Sequence, residues 1–367
     1  MTIRKFFTII LRILFVIAVL ICLGVGILSL TEYKPADVED IEINDSDTFC
    51  ETSSDSTLES TALETNKTIK LVSWNIGYGT LGENADFFMD GGEGVKTADK
   101  ELTETNVGAI SDYLKSGNFD LINLQEIDTD STRSNHFNEY QEIGETLGNY
   151  NGVFTNNFKC IFVPYPIPPI GKVDSGLATY SNHEIASAAR ISLPCPFTWP
   201  TRICNLKRCV EITRYNIEGS NKQFVMINAH LEAYDSGEGK KKQTAMLKKL
   251  MDIEAADGNY VVVMGDFNQQ LSNVDTSAYK IYDGMWTPGV IDVAYFGTDY
   301  SLLMDADVPT CRSLDKPYAG ADKSTFQYYV IDGAMVTNNI EVKKFKTISM
   351  DFVNSDHNPV QMEIVLR

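Results

Sequence analysis

The stretch VVVMGDFNQ, residues 261–269, decides how this chain is read. Four apolar residues run into a glycine and then into Asp266 and Asn268, two positions apart. Along a strand, residues i and i+2 share a face. A buried run that stops so abruptly predicts a core strand whose tip carries polar side chains into a site. An Asx turn closing the strand would explain the same letters, because Asp and Asn commonly close turns.

Working outward, the same ending recurs through residues 68–367. LVSWNIG finishes on Asn75, LINLQEID carries Glu126 near its end, and VMINAHLE ends on His230. YVIDGAMV sets Asp332 in an apolar strand, and NSDHNP puts Asp356 and His357 just before the last run, VQMEIVLR. A buried, unpaired carboxylate is costly, so Asp332 needs a partner, and a histidine is the obvious one. His136 and His183 match none of these endings and are read as non-catalytic. Helical patterns such as KKQTAMLKKLMDI, 241–253, lie between the runs. The mixture predicts one α/β domain with central strands covered by helices.

Composition limits the partners. With 367 residues and 43% hydrophobic content the chain can bury a large core. A net charge of −19 disfavours sequence-independent nucleic-acid binding unless a local basic patch or a bound cation reverses the sign. Surplus carboxylates are also what a divalent-metal site draws on, although most must be solvated surface.

Residues 1–12 form a short basic N-terminus, with Arg4, Lys5 and Arg12. Residues 13–30, ILFVIAVLICLGVGILSL, carry no charge and are long enough to cross a bilayer as a helix. Asp37, Glu39 and Asp40 follow, and this asymmetry predicts a cytoplasmic N-terminus with the rest of the chain outside. An uncleaved anchor fits better than a signal peptide, because no A-x-A-like site follows. Cys22 follows Ile21, not the small residue of a lipoprotein signal. Residues 31–67 are acidic and rich in Ser and Thr, and predict a flexible stalk. Among the six cysteines after Cys22, the group Cys195, Cys204 and Cys209 is close enough for a local bridge, and the irregular spacing argues against zinc.

The ordered set WNIG, LQE, AHL, GDFN, IDGAMV and SDH resembles the endonuclease/exonuclease/phosphatase superfamily, over nearly all of residues 68–367. That superfamily includes deoxyribonucleases, abasic-site endonucleases, inositol-polyphosphate phosphatases and neutral sphingomyelinases. The resemblance implies a four-layered α/β sandwich, two packed mixed sheets flanked by helices, with strand ends converging on a divalent-cation site. It implies Glu126 as principal ligand of Mg²⁺, or of Mn²⁺, with Asn75 contacting metal or phosphate and Asp356 as a second metal-side carboxylate. Asp266 would orient or deprotonate the attacking water, and Asn268 would hold that water and a phosphoryl oxygen. His357 would donate to phosphate oxygens while Asp332 fixes its tautomer and keeps it cationic, and His230 would protonate the leaving oxygen. Chemically these are the parts that phosphodiester hydrolysis needs: a positioned water, neutralised phosphoryl charge and help for the leaving group.

Two loops lie outside these motifs, 158–173 and 194–209. The second places Phe197 and Trp199 beside Arg202, Lys207 and Arg208, candidate substrate-binding residues. The pairing suits a membrane interface or a phosphorylated head group, and equally a groove for single-stranded nucleic acid. Loops that simply cap the sandwich, with these cations paired to surplus carboxylates, would also account for it. Together the readings predict a monomeric, membrane-anchored, extracytoplasmic Mg²⁺-dependent phosphodiesterase that prefers a lipid head group, with no protein partner. A surface nuclease, an inositol-phosphate phosphatase and a non-catalytic surface binding module are the alternatives.

Overall fold

The computed structural model describes residues 3–49 and 62–367. One seven-stranded sheet runs in the order β17 (Ile340–Thr347), β18 (Val360–Leu366), β3 (Thr68–Asn75), β4 (Leu121–Asp128), β6 (Gly171–Ser181), β5 (Asn151–Val163), β2 (Ile43–Asn44). The other runs β1 (Val38–Asp40), β7 (Ser187–Ser192), β8 (Cys209–Asn216), β9 (Gln223–His230), β10 (Tyr260–Asp266), β16 (Asp332–Thr337), β13 (Tyr300–Leu303). Both are mixed: β3 and β4 pair in parallel, as do β9 and β10, among antiparallel neighbours. Two short ribbons, β11 (Gln269–Leu271) with β12 (Gly289–Ile291) and β14 (Cys311–Arg312) with β15 (Tyr328–Tyr329), complete the strands.

Alternation along β10 builds the sandwich. Val262 and Met264 join Leu71, Leu121 and Met226 in the core between the sheets. Val261 and Val263 point the other way, onto Leu247 and Met251 of helix α5 (Glu238–Ala256). On the far side, helices α3 (Lys100–Gly117) and α4 (Glu139–Leu147) lay Val107, Ile110 and Ile143 against Trp74 and Ile122. Their first turns are capped by Asp99 and Asn138, whose side chains accept from Leu102 and Gln141 backbone N–H groups. The expected four layers are therefore present.

The core between the sheets also carries a polar seam. The Gln125 amide donates to Asn228 (2.7 Å) and Ser73 (3.1 Å), Asn228 donates to the Leu124 and Ala178 carbonyls, and Thr179 donates to Glu211 (2.6 Å). Sliding one sheet over the other would strand these groups, at about 1–3 kcal/mol each. The seam fixes how the two sets of strand ends face each other.

The N-terminal region departs from expectation. Helix α1 starts earlier than residue 13 and spans Ile3–Leu30, with none of its residues buried. Residues 31–49 are not a free stalk: β1 pairs with β7, β2 pairs with β5, and Phe49, at the end of the short helix α2 (Ser46–Phe49), is buried against Tyr140 and Tyr180. Buried Arg190 secures the segment by donating to the Ala36 carbonyl (3.4 Å) and to that of Lys207 (2.8 Å). Residues 62–67 return to the domain, with Leu63 buried and bridged to Ile217. Residues 50–61, the remainder of the expected stalk, lie outside the described residues. The expected bridge among Cys195, Cys204 and Cys209 is not formed, and all three thiols are free.

Candidate functional site

Three neighbouring strands deliver three of the polar groups side by side. In register, Asp266 at the tip of β10 stands opposite His230 of β9 on one side and Asp332 of β16 on the other. Close approach of β9 and β10 requires Gly265, whose φ is 154°; a Cβ there would meet the Ala229 carbonyl oxygen at 1.8 Å. Beyond the tip the chain turns at Asn268, a non-glycine residue at φ 50°. Its N–H donates to Asp266 Oδ1 (2.8 Å), which is an Asx turn, and its amide donates to the Leu231 carbonyl (3.0 Å). Both readings of the 261–269 stretch are thus realised: the turn closes the strand and aims Asp266 and Asn268 into a common pocket.

From the facing sheet, β3 supplies Asn75, and a bulge in β4 between Gln125 and Ile127 turns Glu126 toward the pocket at φ 53°. The Asn75 amide spans the gap, donating to Asp266 Oδ2 (3.1 Å) and Glu126 Oε1 (3.3 Å). His357 reaches in from the turn before β18. Its Nδ1 lies 2.9 Å from Asp332 Oδ2, its N–H donates to Ser355 Oγ (3.1 Å), and its carbonyl accepts from Trp74 Nε1 (2.9 Å). The other ring nitrogen, Nε2, is 3.9 Å from Asp266 Oδ2. His230 Nε2 lies 3.5 Å from Asp266 Oδ2 and 3.8 Å from Glu126 Oε1.

Burial sets the electrostatics. It works against a charge on His357, but the Asp332 carboxylate and the Cys311 thiol beside it hold the imidazolium well above its ordinary pKa. His230 is pushed well below its ordinary value by burial and then by the cations of Arg208 and His357, so it is neutral. Burial, with the Asp332 charge added, pushes Asp266 up to about 7. Asp356 rises to about 6 through burial, with Glu126 adding repulsion against the opposing His357 charge.

Crowded carboxylates of this kind suit a cation. Glu126 and Asp356 are hard oxygen donors of the type that hold Mg²⁺ or Mn²⁺, whereas Asn75 turns its amide nitrogen to the carboxylates and its oxygen to the Gly77 N–H (3.1 Å). Among the described residues, donor atoms of Cys311, Asp356 and His357 lie within 4.8 Å of one another, as do those of Asp266, Asp332 and His357. In the second group the Asp332 to His357 hydrogen bond already uses Nδ1, so an Asp–His pair describes it better than a ligand set.

The structure separates the three basic candidates. Buried Arg208 lines the pocket, donating to the His230 carbonyl (3.2 Å) with its Nε 3.4 Å from Glu232. Arg202 (2.9 Å) and Lys207 (3.5 Å) pair instead with Glu32, just beyond α1, in a separate depression. The motifs also missed several pocket residues. Arg133 is fixed by two hydrogen bonds to Asp128 (3.0 and 2.9 Å) and lies 3.6 Å over the Tyr78 ring. Tyr234 donates to Asp90 Oδ1 (3.3 Å), and Trp286 stacks edge-on against Tyr329 at 5.2 Å. No strand-end signal marks them. Tyr78, directly after WNIG, was the nearest to a motif.

The sequence profile of the Endonuclease/Exonuclease/phosphatase family matches residues 72–357. Among solved structures, an endonuclease/exonuclease/phosphatase from Beutenbergia cavernae is similar at 16% identity and TM-score 0.56, over 82% of this chain and 72% of that one. One from Bacteroides vulgatus is similar at 14% identity and TM-score 0.52, over 82% and 100%. D. rerio TDP2, solved with a single strand DNA product, is similar at 13% identity and TM-score 0.51, over 82% and 99%. None of the curated proteins compared with the chain matches it.

Proposed function

We propose, from the premise that this chain belongs to the endonuclease/exonuclease/phosphatase family, whose members generally hydrolyse phosphate esters and commonly use divalent metals, that it is a membrane-anchored phosphodiesterase acting on a lipid head group. Glu126 and Asp356 would hold the divalent metal, Mg²⁺ or Mn²⁺, with Asn75 contacting it or the phosphate, and the metal would neutralise charge on the phosphoryl oxygens. Asp266, its pKa raised to about 7, takes the proton of the attacking water, and Asn268 positions that water. His357, kept cationic by Asp332, donates to the phosphoryl oxygens. His230 is neutral, so it donates a hydrogen bond to the leaving oxygen but carries no surplus proton in the resting site.

One observation carries the choice of lipid over nucleic acid. The basic side chains that could have formed a strand-binding groove are paired internally: Arg202 and Lys207 with Glu32, Arg208 beside Glu232, and Arg133 with Asp128. The pocket wall is instead apolar and aromatic, with Phe87, Met89, Ile170, Leu206 and Trp286. On a chain of net charge −19, that pairing leaves little to neutralise a phosphate backbone. The apolar helix α1 supports membrane attachment.

The test uses the detergent-solubilised full chain with Mg²⁺. Release of phosphate or a phosphorylated head group is measured from sphingomyelin, glycerophospholipids, DNA, RNA and inositol phosphates, each with and without EDTA. Lipid turnover abolished by EDTA is expected. Cleavage of DNA or RNA without lipid turnover would replace this reading with the nuclease one, and turnover of inositol phosphates alone with the phosphatase one. Absence of both metal binding and turnover would indicate a non-catalytic binding module.

A further inference from the structure

A chain of contacts links the end of α1 to the mouth of the pocket. At the helix end, Ser29 Oγ accepts from Trp199 Nε1 (3.2 Å), and Glu32 pairs with Arg202 and Lys207, so the 194–209 loop is held against the base of the helix. The single turn at Thr201–Cys204 then meets the β5–β6 hairpin, where the Cys204 thiol lies 3.7 Å from the Phe162 carbonyl. Further along that hairpin, Tyr165 packs edge-on against Phe88 at 5.8 Å. Next to Phe88, Met89 and Asp90 line the pocket.

The surface along this path is apolar and open. Ile167 is 94% exposed, Tyr165 68% and Trp199 60%, and Ile161, Phe162 and Met89 are exposed as well. Scattered apolar side chains on a soluble surface need no explanation, but a continuous strip of this kind marks an interaction site. The nearby cations are held in ion pairs: Lys159 with Asp174, Lys172 with Asp130, and Arg202, Lys207 and Lys34 sharing the one carboxylate of Glu32.

We infer that this strip is a lip that rests in the bilayer holding α1, so that the pocket opens onto lipids of that same membrane. The inference rests on the reading of α1 as membrane-embedded and of the pocket as the catalytic site. The occupant follows from continuity: the strip begins where the apolar helix ends, and Trp and Tyr favour the membrane–water boundary. The contact is chiefly hydrophobic, because the exposed side chains of the strip are apolar and the cations beside it have carboxylate partners. A zwitterionic surface suffices, and salt leaves the contact intact.

The full chain, reconstituted in phosphatidylcholine nanodiscs brominated near the head-group end of the acyl chains, provides the test. An Ile167→Trp variant adds a reporter far along the strip from α1, and its added emission is expected to be quenched by bromolipid at low and high salt alike. Unquenched emission from that position would overturn the inference, and quenching lost at high salt would replace it with an electrostatic contact. The quenching measurement needs no turnover, so its failure is distinguishable from failure of the proposed function. As a second arm, Tyr165→Ser with Ile167→Ser should lower hydrolysis of nanodisc lipid about tenfold or more. Hydrolysis of water-soluble bis(p-nitrophenyl) phosphate should be unchanged. Equal loss on both substrates, or on neither, would refute the lip.

Discussion

Asp332 Oδ2 and His357 Nδ1 lie 2.9 Å apart, both buried, with the opposite ring nitrogen turned toward Asp266. In the proposed reaction Asp332 would act through His357, fixing its tautomer and charge. Replacing Asp332 by Asn keeps the shape but removes the charge that holds the imidazolium. The expected loss is about 10²–10⁴ in kcat, the usual scale for disturbing a positioned acid or base. The pKa of His357, followed by NMR, should fall in the same variant. A variant with full activity and an unshifted imidazole would remove the pair from the mechanism.

Glu126 stands at φ 53° on a bulge, and its Oε1 accepts from Asn75. A strained backbone at a carboxylate points to a function that the strain serves. If that function is metal binding, Glu126→Gln should weaken Mn²⁺ affinity by at least about 100-fold in calorimetry, since even outer-shell changes cost 10–100-fold. The same variant should retain its melting temperature in EDTA. Unchanged affinity would move the cation elsewhere in the pocket.

How much of this was legible follows from where each residue sits. Asn75, Glu126, His230, Asp266 and His357 interrupt or adjoin apolar runs, and strand periodicity then places them at one end of two sheets. Tyr78, Asp90, Arg133 and Trp286 come from excursions between strands, and only the stacking of the sheets brings them to the pocket. The partners of Arg202 and Lys207 were hidden for a related reason: Glu32 lies 170 residues from Arg202. In residues 31–49 the apolar anchors Val38, Ile41, Ile43 and Phe49 are too sparse among acids to show a period, yet each finds a place on a sheet edge or in the core.

Glu211 is fully buried in the seam between the sheets, accepting from Thr179, and burial raises its pKa well above its ordinary 4.5. The sign follows from linkage: a raised folded-state pKa contributes stability that is complete below the unfolded pKa and is lost as pH rises through the folded one. Glu211→Gln keeps an acceptor for Thr179 but cannot ionise. Between mildly acidic and alkaline pH, the melting temperature of the native chain should fall relative to this variant by about 3 °C or more. Parallel melting curves across that range would mean that Glu211 titrates normally.

Cys160 and Cys204 present their thiols to the same carbonyl, that of Phe162, at 3.5 and 3.7 Å, and hydrogen-bond to each other. The Cys204 hydrogen bond brings the Cys160 thiol down to about 7 against the opposing effect of burial, so a thiolate is available at neutral pH. A thiolate next to a thiol is the arrangement that an oxidant converts to a disulfide, and in an oxidising compartment the bond persists. Oxidation should therefore join the β5–β6 hairpin to the Thr201–Cys204 turn, clamping the two loops that form the lip. The closed loop predicts stabilisation on the order of 2–4 kcal/mol, less where the loops can open locally without global unfolding. Peptide mapping without reductant should recover Cys160 linked to Cys204, and reductant should lower the melting temperature of the native chain but not of Cys204→Ser. A map linking Cys204 to Cys195 or Cys209 would restore the pairing suggested by sequence spacing. Unlinked thiols after oxidation would show that the hydrogen bond, not a covalent bond, holds the loops together.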